Sequence, residues 1–305
     1  MTTTPILDPA TLRLAKGSHA DGPPPGDPDC EMCLFEAYNV LLVPPDRRPD
    51  AELTDDRPAD VSPVLHAFGM RLNDILDDDR RQQLKIYLPN GVSPLAGTYR
   101  DGLDETRQWM AADWAVRTAL PIWLDAAGVG DRAGQLRALP RIVDRASSVD
   151  ARPLVRTVAD EAYERRRAWR KELKAKIAEE LAGRRADAAA VAVAAADADA
   201  GAGAGAGAVA VAVAGAVAGA AADAAAAAVA AADAAADAAA AAVADAAAVA
   251  VAVADADRYW VIRKQAYDAA YTAIQERYAP TIGTVHDSAV ALYAAMVHPE
   301  PGGLA

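Results

Sequence analysis

Bulky apolar residues recur three and four positions apart along most of the 305-residue chain, which is the spacing of one face of a helix. Val64, Leu65, Phe68, Leu72, Ile75 and Leu76 follow this rule behind Ser62-Pro63, an N-cap residue and a proline at the first helical position. Other apolar sets predict further helices: 29–43, ended by Pro44-Pro45; a short one around Leu84, Tyr87 and Leu88; and about 102–119, with Leu103, Met110 and Trp114. Pro121 starts or kinks the segment holding Ile122, Trp123 and Leu124, Gly128 closes it, and Asp131 caps the next. A longer helix is expected from about Pro153 to Ala182. Two more follow at 257–278 and around Val285 to Met296, separated by a break at Pro280. No alternating strand pattern stands out beyond one low-complexity block. The pattern predicts an all-α fold, a multi-helix bundle or orthogonal helical domain with a long Ala-rich helical extension.

The expected organisation is a flexible arm at 1–28, a helical core at 29–150 and a basic amphipathic helix at 151–185. A low-complexity segment follows at 186–257, and helices at 258–305 pack back on the core. The arm is inferred from Gly22-Pro23-Pro24-Pro25-Gly26, which cannot form regular structure.

Residues 186–257 contain only Ala, Val, Gly and Asp, and every even-numbered position is alanine. A period of two is the strand period, and the Gly-Ala run 201–207 is silk-like. Alanine is also the best helix former. On a helical projection the aspartates from Asp223 to Asp255 gather on one face opposite Val229 and Val243, which favours helix there. The glycines of 200–219 favour a loop or fold-back. Residues 200–222 are long enough to span a bilayer, but they lack the Leu, Ile and Phe that drive insertion.

The net charge is −12 and is unevenly spread. Residues 1–150 hold 16 Lys/Arg against 24 Asp/Glu, 151–185 hold 11 against 6, and 186–257 hold none against 9. Such acidity argues against general nucleic-acid binding. The basic run Arg165-Arg166-Arg167-Ala168-Trp169-Arg170-Lys171 is interleaved with glutamates and reads as a solvated helix face. Its positive charge is also placed to meet the acidic block that follows. The opening residues have no basic start followed by an apolar core, and two nearby cysteines imply no disulfide framework, so a cytoplasmic location is expected.

Candidate chemistry is sparse. His19, Cys30, Cys33 and Glu36 lie within 18 residues, and the last three are spaced to share one side of a helix start. Two thiolates and an imidazole suit zinc, with Glu36 as fourth ligand or general base. A zinc site ordinarily has a second ligand pair, absent here, and Cys33 is equally a small buried hydrophobe. A Cys33 nucleophile with His19 as base is a further option. Asp77, Asp78 and Asp79 are better explained as N-cap and first-turn acids than as magnesium ligands. His66 and His286 read as packed histidines, and no phosphate-binding loop, HExxH or GxSxG is present.

Several strings carry a resemblance: Ala15-Lys16-Gly17-Ser18-His19; Met32-Cys33-Leu34 with Glu36-Ala37; Val61-Ser62-Pro63; and Ala67-Phe68-Gly69 with Leu72-Asn73-Asp74. With Gly97-Thr98 and Gly102-Leu103-Asp104-Glu105, the chain resembles uncharacterised Ala-rich helical proteins of actinobacteria and their phages over roughly 12–145. The resemblance implies a fold class and a source, and no activity. Those proteins tend to carry His and Cys just before the segment matching Val61-Ser62-Pro63, and this chain has neither there. If those residues are metal ligands, some have been lost here.

The sequence therefore leads to a non-enzymatic helical binding or scaffold protein. It would act as a homo-oligomer or on a protein partner through the Ala-rich segment, with no cofactor, and with nucleic acid and membrane disfavoured. The alternative is a metal- or thiol-dependent enzyme using His19, Cys33 and Glu36, with zinc as the candidate metal.

Overall fold

The computed structural model describes residues 9, 12–25, 27, 29–183 and 259–299. The expectations of helix, strand or fold-back for 186–257 lie outside the described residues. Eight α-helices are described: α1 (Leu34–Leu42), α2 (Pro63–Ile75), α3 (Asp78–Gln82), α4 (Asp104–Trp114), α5 (Leu120–Ala126), α6 (Gly130–Arg137), α7 (Arg145–Gly183) and α8 (Tyr259–Val297). Short 3-10 turns follow α1 and α3 and precede α4. Among the described residues the only β pairing is a single parallel bridge between Leu14 and Met32. The fold is all-α, as the apolar spacing predicts.

The capping signals act where the sequence places them. Ser62 Oγ accepts from the amides of Val64 and Leu65, and Pro63 occupies the first turn of α2, where no donor is needed. Asp77 accepts from Arg80 N at 2.8 Å and caps α3, which accounts for the aspartate run without a cation. Gly128, at φ +71°, ends α5: its N–H meets Asp125 O, and Val129 N–H reaches back to Leu124 O.

Helix boundaries differ from expectation in four places, each with a local cause. α1 begins at Leu34, not at 29–30, because Cys33 is its N-cap. α4 passes into a π turn at Ala115–Ala119, with Leu120 N–H bonded to Ala115 O. Pro121 next to it lacks the donor that Arg117 O would use, and a widened turn accommodates the ring. α7 begins at Arg145 rather than near Pro153, because Asp144 accepts from Ser147 N at 2.7 Å and nucleates the helix earlier. Pro280 does not break the last helix: α8 runs through it for 39 residues. The lost backbone bond costs about 3 kcal/mol, offset by burial of Tyr278, Val285, Ala289, Tyr293 and Met296 along the same helix.

The chain divides into two compact units. The first comprises, among described residues, 9–111 and 286–299. Its core gathers Phe35, Tyr38, Phe68, Tyr87 and Tyr293, with Tyr87 meeting Tyr293 edge-on at 4.8 Å between ring centroids. Gly69 permits this packing, since a Cβ there would lie 2.7 Å from Tyr293 Oη and 3.0 Å from Phe35 Cε2.

The second unit comprises 112–183 and 259–285 among described residues. Val116, Leu120, Trp123, Leu124, Leu136, Val155 and Val158 are buried in it. Asp113 Oδ1 accepts from Ile142 N at 2.8 Å, and Arg132 pairs with Glu161.

Candidate functional site

Residues 12–19, expected to belong to a flexible arm, are instead tied down at five points. Ala15 N donates to Met32 O at 2.8 Å, Gln82 brackets Leu14 with a bond to its N and another to its O, and Gly17 N reaches Asp74 Oδ1 at 3.1 Å. Asn73 joins both sides: its Oδ1 accepts from Leu34 N, and its Nδ2 donates to Ala15 O. The fifth point is Glu36, a fully buried carboxylate on the first turn of α1.

Glu36 is saturated. Oε1 accepts from His19 N and from Ser18 Oγ at 3.4 Å, while Oε2 accepts from Cys33 N at 2.7 Å and His19 Nδ1 at 2.9 Å. Four donors meet the four lone-pair positions of the carboxylate. Burial alone would raise the Glu36 pKa, but the amides of Cys33 and His19, with the side chains of both, outweigh it, and the net shift is downward. The group is therefore an anion held by donors. The Cys33–Glu36 pair is a capping box in which sulfur replaces the usual hydroxyl, each side chain facing the other's backbone N–H.

Cys33 is fully buried, and desolvation, above all other causes, pushes its thiol up to about 12. Such a thiol is a poor nucleophile at neutral pH. Cys30 is half-buried, its Sγ lies 3.7 Å from Glu31 O, and burial followed by the nearby charges of Glu36, Asp27 and Glu31 raises its pKa as well. The four residues His19, Cys30, Cys33 and Glu36 thus do not converge as one ligand set. Spacing along the chain brought them together, but Glu36 and Cys33 turn inward as a cap. Among the described residues, no group of three or more His, Cys, Asp or Glu side chains is arranged to hold a metal ion.

His19 is the member that faces outward. Its Nδ1 is committed to Glu36, and its Nε2 lies 3.6 Å from Glu31 Oε2 beside a cavity of about 450 Å³. Ser18, Asp21, Asp29 and Glu31 also line that cavity. A second groove, of about 650 Å³, runs between residues 12–16 and 25–32 and reaches Asp78 and Arg81.

The remaining histidines are packed. His66 Nε2 bonds to Asp55 O at 2.8 Å, with its ring 4.3 Å from that of Phe35, and burial lowers its pKa. His286 is buried near Arg80, and burial lowers its pKa too.

Sequence reasoning missed Arg107, whose guanidinium is fully buried and bonds to Asp101, Asp104, Thr98 O, Met296 O and Val297 O. Asp101 and Asp104, three residues apart and preceding an arginine by a helical turn or two, were the available signal.

No helix among the described residues is long and apolar enough to cross a membrane. Compared with known proteins, the chain matches no family model, no curated sequence and no solved structure.

Proposed function

We propose that this chain is a non-enzymatic helical binding or scaffold protein of the cytoplasm. It works through the Ala-rich segment 186–257, either in self-association or on a protein partner. The observation that carries this reading is the saturation of Glu36. The one cluster that sequence offers as a reaction centre is used up as a hydrogen-bonded anchor, with its carboxylate filled by four donors and its neighbouring thiol held protonated. A thiol-dependent enzyme built on Cys33 would need its thiol accessible, and a general base at Glu36 would need a free lone pair.

The organisation of the chain supports the same reading. Two 39-residue helices, α7 and α8, bracket 186–257 in sequence, each about 58 Å long at 1.5 Å per residue.

Light scattering on the full chain across a wide concentration range tests the proposal. Assemblies whose mass rises with concentration, and which are lost when the aspartates of 186–257 are replaced by lysine, support it. A monomer at every concentration, with no protein partner bound by the segment in a crosslinking assay, overturns it.

A further inference from the structure

We propose that the aspartates of residues 223–257 dock on a basic strip of α7 within the same chain. The strip carries Arg145, Arg152, Arg156, Arg167 and Lys171, with Tyr163 among them. It narrows the charge match expected from sequence to one helix face. It is independent of the scaffold reading, because it concerns what these aspartates meet inside one chain and not what the segment does to a partner.

α7 sorts its charges by face. At about 100° of turn per residue, the five cations fall within a sector of about 100°, and all five are exposed. Asp150, Glu161 and Glu164 fall in the adjoining sector of about 60°, and the buried Val155, Val158 and Ala162 lie on the strip's other side. Among the described residues one acid, Asp160, stands inside the strip, and Glu164 reaches in from its edge to Arg167 at 3.9 Å. A helix face that met only water would gain by alternating its signs. Here Arg152 and Arg156, and again Arg167 and Lys171, stand four apart, where like charges repel and weaken the helix. An anion seated along the strip removes that penalty. Tyr163, 58% exposed, and Val149, 45% exposed, stand in the same sector. They give the occupant apolar surface to cover as well as charge to neutralise.

Residues 223–257 match both demands. They hold six Asp and no Lys or Arg, and are otherwise Ala and Val, so carboxylates and methyl groups arrive together. Asp233 and Asp237 repeat the four-residue spacing of Arg152 and Arg156. The connection reaches: the 39 residues 184–222 can extend to about 130 Å, whereas α7 from Gly183 back to Arg145 measures about 57 Å. Being tethered, these aspartates meet the strip at an effective concentration that a second copy or a free polyanion must exceed to displace them. The net charge of −12 further holds off nucleic acid.

Carbodiimide coupling, which joins a carboxylate to an amine in contact with it, tests this on the full chain. Arg156→Lys keeps the charge of the strip and supplies the amine, and Thr157→Lys places the same amine on the acidic side of the helix as a control. In monomer isolated after the reaction, peptide mass spectrometry is expected to find position 156, and not position 157, coupled to aspartates of 223–257. Reversing two strip charges, Arg145→Glu with Arg167→Glu, is expected to cut that yield roughly fivefold or more. Salt at about 1 M, where the Debye length is about 3 Å against about 8 Å at physiological strength, is expected to do the same. All these positions are exposed, so the variants are expected to fold as the parent does, which an unchanged circular dichroism spectrum checks. No coupling from position 156, equal coupling from position 157, or a yield indifferent to charge reversal would each overturn the proposal. Coupling confined to dimers would overturn it too, assigning the strip to a second copy. So would a single-stranded oligonucleotide that binds the full chain through the strip while no coupling forms.

Discussion

Arg107 Nε donates to Met296 O at 2.8 Å, so a buried guanidinium on α4 caps the carbonyl end of α8, 189 positions away in sequence. The same side chain reaches Val297 O and Thr98 O and pairs with Asp101 and Asp104. It thereby satisfies helix-terminal carbonyls that would otherwise be buried without donors. Arg107→Ala orphans these carbonyls and leaves two carboxylates unpaired. The expected cost is about 3–5 kcal/mol, read from the urea midpoint, with Arg107→Lys intermediate because an ammonium cannot reproduce the fork. A loss below 1 kcal/mol would show that the buried fork does not hold α8.

Glu36→Gln keeps the shape of the anchor and removes its charge. Hydrogen bonds to a charged group contribute about 1.5–3 kcal/mol each, so a loss in that range or above is expected at neutral pH. The folded-state pKa of Glu36 lies below the ordinary value of 4.5. Its contribution is therefore complete above that value and is lost as pH falls through the folded pKa. The stability gap between parent and E36Q is expected to stay flat above pH 4.5 and to narrow in acid, as urea unfolding across a pH series would show. A gap that widens in acid would contradict the assignment.

The fold was largely legible because its signals are local. The apolar face of α2, the Ser62-Pro63 start and the Gly128 stop depend on residues within one or two turns, and all three stand in the structure. Pro280 and Pro153 misled because a proline's effect on a helix depends on what the flanking turns bury, which sequence does not display. Arg107 escaped for a related reason. A charged residue reads as solvated, and the carbonyls that bring it inside belong to a helix near the other end of the chain.

The candidate site was legible in its members and not in its roles. His19, Cys33 and Glu36 do meet. The spacing of Cys33 and Glu36 is also that of a capping box, and only the position of the helix start decides between cap and ligand pair. Glu31 carried no signal, because its relation to His19 comes from the loop between them.

Gly69→Ala tests the close approach of α2 to α8. Its Cβ would meet Tyr293 Oη at 2.7 Å and Phe35 Cε2 at 3.0 Å. Both rings are fully buried and cannot withdraw, so a loss of about 1–3 kcal/mol is expected in thermal or urea unfolding. Unchanged stability would mean that the aromatic core yields more readily than its packing implies.

Thiol chemistry distinguishes the two cysteines. With its thiol pushed up to about 12 and its side chain buried, Cys33 is expected to resist iodoacetamide at pH 8 until the protein unfolds. Cys30, half-buried and with its pKa also raised, is expected to react first and slowly. Peptide mass spectrometry after a timed reaction reads both rates, and rapid modification of Cys33 in the folded chain would reopen the nucleophile reading.

Amide hydrogen exchange at His19 and Cys33, followed residue by residue in the native full chain, reports most directly on Glu36 as a structural anchor. Both amides donate to that buried carboxylate. They are predicted to exchange far more slowly than an unstructured peptide and to lose that protection together in E36Q. Exchange of His19 at the unprotected rate in the parent protein would contradict the anchor, and with it the assignment of this cluster to structure rather than to catalysis.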